Sequence, residues 1–368
     1  MARVFHLLKR RTKELIILLD YVLWFLFDPC KYGRINKNEI KKVLIIHLGA
    51  IGELLMTTPI IKSLKNDLGS EVHFMTRKGM EKVFLHNPSL RKVITHSESF
   101  KENLEMVKRE GYDLAIILWP GSLNISLMCL LAGIKYRVGC FKMVQEGPAF
   151  FYTKRWFPLK KQHAIQSNLD MIRLLGLENK KPRVEFYFSE KDRKSANQFL
   201  KKNKLKKFAI VHPGFGGAEK NKSYSRSWPE WAYADICDNL ISQHGMSVVL
   251  TGIQKEKELA KKIVAASNHK NKIISAAGFF SLQELGALVS KADLLVAPDT
   301  SVVHIASTFD TKILDLIGDE SSYLWHPWTH RKNYQTVRHP YFLGGTLGEG
   351  DYKKKLNEIK KAIMALVD

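Results

Sequence analysis

The sequence predicts an α/β protein made of two successive Rossmann-like halves, and three observations carry that expectation. Short apolar runs of strand length recur along the chain, many followed by a glycine-containing turn and a helix-length segment. That is the pattern of buried parallel strands joined by crossover helices. The pattern starts afresh after a charged, loop-like stretch at 178–182. The chain has 368 residues, long for one domain and ordinary for two at about 100–200 residues each.

In the first half, Lys42-Val43-Leu44-Ile45-Ile46-His47 reads as the opening buried strand, and a helix is expected over 53–68. Further strands are predicted at 71–76, 92–95 and 114–118, with a strand end at Arg137-Val138-Gly139. Helices are predicted at 78–86, at 124–131 and at 163–175, the last closed by Gly176. The second half opens with the strand 208–212 and continues with strands at 247–250, 273–275, 294–297 and 312–317. Its helices are expected at 228–244, 256–267, 281–290 and 304–309, with a last one over 353–367. The resulting domains are 41–177 and 183–345, followed by a terminal helical segment at 350–368. Ligands of such sheets bind beyond the carboxyl ends of the strands. With two facing sheets, the expected site is a deep cleft between them.

Residues 1–40 stand apart. Arg3, Lys9, Arg10, Arg11 and Lys13 precede an aromatic-rich apolar run at 15–27. The run is shorter than the ~20 residues of a spanning helix, and Asp20 interrupts it. No small-residue cleavage site follows, which argues against a signal peptide. A helix lying in a membrane interface fits the basic flank and Trp24, Phe25 and Phe27. A helix docked on the protein itself is the alternative.

Lys and Arg number 58 against 36 Asp and Glu, a formal charge of +22. Such a field attracts anions, from phosphorylated substrates to lipid headgroups. Nucleic acid is disfavoured, because zinc-finger spacing, an aromatic RNA-binding strand and a basic heptad region are all missing. The four cysteines, Cys30, Cys129, Cys140 and Cys237, form no Cys-x-x-Cys pair and read as thiols in a reducing compartment.

Four turns carry candidate chemistry. His47-Leu48-Gly49-Ala50-Ile51-Gly52-Glu53 follows the opening strand and enters a helix. Its glycines, Gly49 and Gly52, allow close backbone approach, and the helix start favours an anion. Glu53 is a candidate catalytic carboxylate, although the helix dipole alone also favours an acid there. His212-Pro213-Gly214-Phe215-Gly216-Gly217 opens the second half and is followed by Lys220, Lys222 and Arg226. Backbone amides beside a cation suit a diphosphate; a mobile glycine loop with solvated lysines is the alternative. Leu250-Thr251-Gly252 leads to Glu256, a carboxylate that can hold a ribose hydroxyl. Pro298-Asp299-Thr300-Ser301-Val302-Val303-His304 offers a carboxylate, two hydroxyls and an imidazole, and equally suits a helix cap. The chain lacks the dinucleotide fingerprint, the Walker lysine, Asp-x-Asp, His-Glu-x-x-His and the Gly-x-Ser-x-Gly elbow. No metal or resident cofactor is therefore expected.

In this order the motifs resemble the heptosyltransferases, glycosyltransferase family nine. The resemblance runs from Lys41 to His339 and includes Gly52-Glu53, Thr58-Pro59, Arg137-Val138-Gly139, His163 to Leu169, His212-Pro213-Gly214, Trp228-Pro229, Leu250-Thr251-Gly252 and Asp299 to His304. It implies the GT-B fold, with a C-terminal helix that returns to the first domain. It also implies metal-independent transfer, with inversion, of a sugar from a nucleotide donor, commonly ADP-heptose. The implied acceptor is the lipid-linked inner core of lipopolysaccharide, reached at the cytoplasmic face of the inner membrane.

Carried onto this chain, Glu53 stands where the family has an aspartate general base. Arg226, Gly214, Gly216, Gly217, Gly252, Glu256, Asp299, Thr300, Ser301 and His304 fall on the donor side. Gly49, Gly52 and Arg137 fall on the acceptor side. Ser301 replaces a family glycine and narrows the space beside the donor. The competing readings are a UDP- or GDP-hexose donor serving another surface glycan, a NAD-binding oxidoreductase, and a membrane-docked scaffold without activity.

Overall fold

In the computed structural model the described residues are 22, 35–118, 121–140, 151–156, 162–214, 228–317, 322–338 and 349–367. The segment 1–34, apart from Val22, lies outside them, as do Gly216, Gly217 and Arg226. Among the described residues no helix is long and apolar enough to cross a membrane. The chain divides between Pro182 and Arg183 into two compact units.

The first unit holds β1 (Lys42–Ile46), α1 (Ile51–Leu55), α2 (Thr58–Asn66), β2 (Glu71–Arg77), β3 (Lys92–His96), α3 (Phe100–Glu110), β4 (Leu114–Ile117), α4 (Leu123–Leu131), β5 (Tyr136–Cys140), β6 (Lys154–Trp156) and α5 (Ala164–Arg173). Its described strands form one sheet in the order β3-β2-β1-β4-β5-β6, and every pairing is parallel. The single helix expected at 53–68 is two helices. The Thr57 hydroxyl donates to the Leu54 carbonyl at 2.6 Å and Pro59 sits in the first turn of α2, so the chain restarts there. Residues 78–86 hold only a 3-10 turn, Glu81–Phe84. The helix α3 was not foreseen, because charged and polar residues dominate it, although Phe100, Leu104 and Val107 recur at helical spacing. The Ser99 hydroxyl accepts from the Glu102 N–H at its start, and Gly111 closes it at φ 65°.

The second unit holds α6 (Glu190–Lys202), β7 (Phe208–Val211), α7 (Glu230–His244), β8 (Ser247–Leu250), α8 (Lys257–Ala266), β9 (Ile273–Ser275), α9 (Leu282–Val289), β10 (Leu294–Pro298), α10 (Ser301–Ala306), β11 (Lys312–Ile317), α11 (Ser322–Trp325), β12 (Tyr334–Arg338) and α12 (Glu349–Val367). Its sheet runs β12-β11-β10-β7-β8-β9. Counted from the first strand of each unit, both sheets have the order 3-2-1-4-5-6, the doubly wound arrangement. Strand order reverses between β1 and β4 in one unit and between β7 and β10 in the other. The central strands are buried on both faces, as their unbroken apolar runs require.

On α12, Leu356, Ile359, Ile363 and Leu366 form a buried stripe that joins the core with Trp228, Leu240, Leu316 and Val337. Lys360 adds an ion pair to Asp235 of α7 at 2.8 Å. The apolar face of the helix is thereby spent within the second unit.

Candidate functional site

At the switch point of the first unit, the chain leaves β1 at Ile46 and His47 still donates its N–H to the Met75 carbonyl at 3.1 Å. The His47 side chain is buried, and its Nδ1 accepts the Gly49 N–H at 2.9 Å. In the neutral ring the proton therefore sits on Nε2. Burial first, and the Arg77 charge second, push its pKa down to about 4, so the imidazole is neutral near pH 7. Arg77 Nη2 donates to the Gly49 carbonyl at 3.0 Å. Glu53 is half-buried, and its Oε2 accepts the Ala50 N–H at 2.6 Å. Gly49 is required by close approach. A Cβ there would lie 2.2 Å from Glu53 Oε2 and 2.3 Å from His47 Cε1. The glycine thus lets the ring and the carboxylate pack against the same turn.

At the second unit's switch point, His212 donates its N–H to the Val296 carbonyl at 2.9 Å. Its buried ring shares a hydrogen bond between Nδ1 and Thr251 Oγ1 at 2.9 Å. Burial pushes this histidine down to about 4, against an opposing pull from the Glu256 charge. Glu256 accepts the Ile253 N–H at 2.7 Å. A Cβ on Gly214 would fall 2.1 Å from the Glu256 carboxyl carbon, and one on Gly252 2.7 Å from Glu256 Oε2. Glu256 therefore bridges the turns after β7 and β8, and Gly214, Gly252 and Glu256 form one cluster.

The turn after β10 is adjacent, because β10 and β7 are neighbours. Thr300 is the first flanking residue of α10, yet its side chain makes no cap bond, and its Oγ1 is buried without a hydrogen-bond partner among the described residues. The simple cap reading of Thr300 therefore does not hold. Asp299 Oδ1 lies 3.8 Å from His304 Nε2, beyond hydrogen-bond range. His304 is buried, and burial with the charge of His326 pushes it down to about 4. The Asp299 carboxyl group thus sits beside an imidazole that is neutral near pH 7.

The sequence reading missed Asp315. It lies on β11 in register with Ala297, is 1% exposed, and its Oδ1 has no hydrogen-bond partner among the described residues. Burial first, and then the neighbouring Asp299 charge, hold its carboxyl well above the usual range. The available signal was a lone acid inside the apolar run Lys312-Ile313-Leu314-Asp315-Leu316-Ile317. His47 and His212 open two of the turn motifs, and their burial gives them a part the motifs alone do not assign. Their shared position two residues before a glycine, after each unit's first strand, was the signal for them.

Arg137 leaves the acceptor-side group. It is buried, and its Nε donates to the Phe151 carbonyl at 2.5 Å. Its Nη1 bonds the Ile134 carbonyl. It is in register with Ala115 and through it with Leu44, toward the amino ends of the strands. Its guanidinium therefore ties the β5–β6 region together, away from the strand ends where ligands bind.

The sequence profile of Glycosyltransferase family 9 (heptosyltransferase) matches residues 102–341, more than half of the chain. The lipopolysaccharide core heptosyltransferase OpsX of Haemophilus influenzae is 26% identical over 236 residues, 63% of this chain and 65% of its own length. The chain thus spans a little under two thirds of that relative. The structure of the glycosyl transferase family 9 protein from Veillonella parvula superposes with a TM-score of 0.75 at 20% identity, covering 90% of this chain and 98% of that one. That of Escherichia coli ADP-heptose lipopolysaccharide heptosyltransferase II gives 0.72 at 19% identity, covering 89% and 98%. These likenesses establish the fold class, GT-B, and with the profile match over the larger part of its length the chain belongs to glycosyltransferase family 9, the heptosyltransferases.

Proposed function

We propose that the protein transfers heptose from ADP-heptose to a lipopolysaccharide core acceptor, with inversion and without a metal. The observation that supports it best is the placement of acids at both switch points: Glu53 after β1, and Asp299 beside His304 after β10. The family match and the donor named for the Escherichia coli relative supply the substrate class.

In this mechanism Glu53 takes the proton from the attacking hydroxyl of the acceptor. The hydroxyl oxygen forms a bond to the anomeric carbon as the bond from that carbon to the diphosphate oxygen breaks. The electron pair leaves with ADP, and attack from the opposite face inverts the centre. Asp299, Thr300, Ser301 and His304 hold the donor, with Gly214, Gly252 and Glu256. The phosphate-side residues Gly216, Gly217 and Arg226 complete the donor set, Arg226 countering the charge on the departing diphosphate. Gly49 and Gly52 let the acceptor approach Glu53. Neutral His47 and Arg77 fix the turn that carries it.

The test is transfer from ADP-heptose to purified lipopolysaccharide core, followed by ADP release and by product mass. The expected result is one heptose added per ADP released, absent in Glu53→Gln. A UDP- or GDP-hexose donor is the second reading, favoured by Ser301 at the first position of α10. Turnover with one of those donors and not with ADP-heptose would establish it.

The charge of +22 and the basic, apolar segment at 1–34 support docking on the anionic cytoplasmic face of the inner membrane. Truncation should stop at residue 34, because Lys37 Nζ bonds the Gly176 carbonyl at 2.7 Å and Tyr136 Oη bonds Glu39 at 3.1 Å. Co-sedimentation with anionic vesicles at low salt should be lost on removing 1–34. Unchanged partitioning would refute the docking role.

A further inference from the structure

We infer that Asp315 is a specificity-determining residue of the second unit's site, its carboxyl group taking a hydroxyl of the ligand held by the turn Asp299–His304. The inference rests on the donor-binding reading of that turn and adds a residue and a chemistry to it.

The placement comes from the sheet. Paired residues of adjacent parallel strands project to the same face, so Asp315 shares a face with Ala297, its register partner. Ala297, Leu295 and Ile313 pack in one core cluster with Val302 and Val303 of α10. Asp315 is therefore on the face that α10 covers, one strand across from the residues leading into Asp299. It is 1% exposed, and its Oδ1 finds no hydrogen-bond partner among the described residues. Thr300 Oγ1, on the same turn as Asp299, is also buried without one. Buried polar atoms in folded proteins are paired in the great majority of cases. Two orphans around one turn point to a partner that arrives with a ligand.

The charges select the kind of group. Burial first, and the Asp299 charge second, raise the pKa of Asp315 and so favour its neutral acid form. A neutral carboxyl group donates through O–H and accepts through C=O, which matches a hydroxyl. The adjacent Asp299 carboxylate repels phosphate oxygens. The group recognised here is therefore a sugar hydroxyl and not the diphosphate.

The experiment is calorimetric titration of the full chain with ADP and with ADP-heptose, for wild type, Asp315→Ala and Asp315→Asn, alongside melting temperatures. Asp315→Ala should bind ADP within about twofold of wild type and ADP-heptose about tenfold more weakly, the scale of one buried hydrogen bond. Asp315→Asn, neutral and still both donor and acceptor, should stay within about threefold for both ligands. The Ala variant should melt no lower than wild type, since it removes an orphaned acid. Equal loss of ADP and ADP-heptose, unchanged affinity for both, an Asn variant as weak as Ala, or a lowered melting temperature in both variants would each overturn the inference. A wild type that binds a UDP- or GDP-sugar instead refutes the ADP-heptose reading alone. The same comparison, made between that sugar nucleotide and its diphosphate, then decides Asp315. A wild type that binds no sugar nucleotide overturns both.

Discussion

After β1 the chain reads His47-Leu48-Gly49, and after β7 it reads His212-Pro213-Gly214. Each histidine is buried and continues its sheet by an N–H bond to the neighbouring strand. Each glycine lies against a glutamate carboxylate. The partners differ in origin. Gly49 N–H and Glu53 come from the same turn as His47. Thr251 and Glu256 come to His212 and Gly214 from the next strand–helix connection. The first turn is a local device, built within seven consecutive residues; the second exists only once β8 lies beside β7. A local device presents one carboxylate in a fixed place, which suits a base. A turn assembled from two connections spreads its polar groups over a wider floor, which suits a nucleotide.

The largest effect that tests this contrast is on chemistry. Glu53→Gln keeps an oxygen for the Ala50 N–H, so the turn should stay folded. Transfer should nevertheless fall by about 10²–10⁴, the range of a general base, in an ADP-release assay. A Gln variant with near-normal turnover would reduce Glu53 to a helix cap.

The buried histidines come next. His47, His212 and His304 are each pushed down to about 4, below the ordinary 6.5. The unfolded chain therefore takes up protons as pH falls below 6.5 while the folded chain does not. Stability is fully present above pH 6.5 and is lost as pH falls toward 4. The slope is about 1.4 kcal/mol per pH unit for each histidine. Denaturant titrations between pH 4 and 7 read it, and His47→Asn and His212→Asn should each remove one histidine's share. A flat profile would contradict the neutral assignment of both turns.

Glycine replacement separates the two turns more finely. Gly49→Ala meets both the Glu53 carboxylate and the buried His47 ring, and should cost about 1–3 kcal/mol, as overpacking does. At Gly214 the three nearest atoms all belong to the Glu256 carboxylate, which can swing aside. Gly214→Ala should therefore change stability by less than about 1 kcal/mol and weaken nucleotide binding instead. Equal melting temperatures for the two variants would erase the distinction. Thr251→Val removes the partner of His212 Nδ1 and should lower stability by about 1 kcal/mol, with no counterpart in the first unit.

Much of the architecture was legible because it is written locally. The apolar runs at β1, β7, β10 and β11 are buried on both faces, so periodicity and composition suffice to find them. Helices α3 and α6 were missed because charged and polar residues dominate both, and only Asn103 and Val107 of one and Ala196 and Phe199 of the other are buried. The short strands β6 and β12 were missed for a related reason. Edge strands have half-exposed residues and few of them. Among site residues, Gly49, Glu53, Gly214 and Asp299 could be picked out because each follows a strand and precedes a helix. Arg137 entered through the family resemblance, and in the structure its guanidinium serves main-chain carbonyls within the β5–β6 region.

By itself the sequence determined the class of the protein, two doubly wound α/β units with acids and glycines on turns that follow their strands. Strand-length apolar runs and glycine turns are properties of neighbouring residues, and no long-range information is needed to read them. Only the tertiary structure decided which side chains share a turn. Glu256 reaches Gly214 across 42 positions of sequence, and Asp315 acquires its meaning from Ala297 and Asp299 on the next strand. Tertiary structure likewise decided that α12 spends its apolar face on α7, β11 and β12. In each case the deciding quantity was burial against residues distant in the chain, which sets the charge state of an acid or the partner of a helix and which local pattern does not specify.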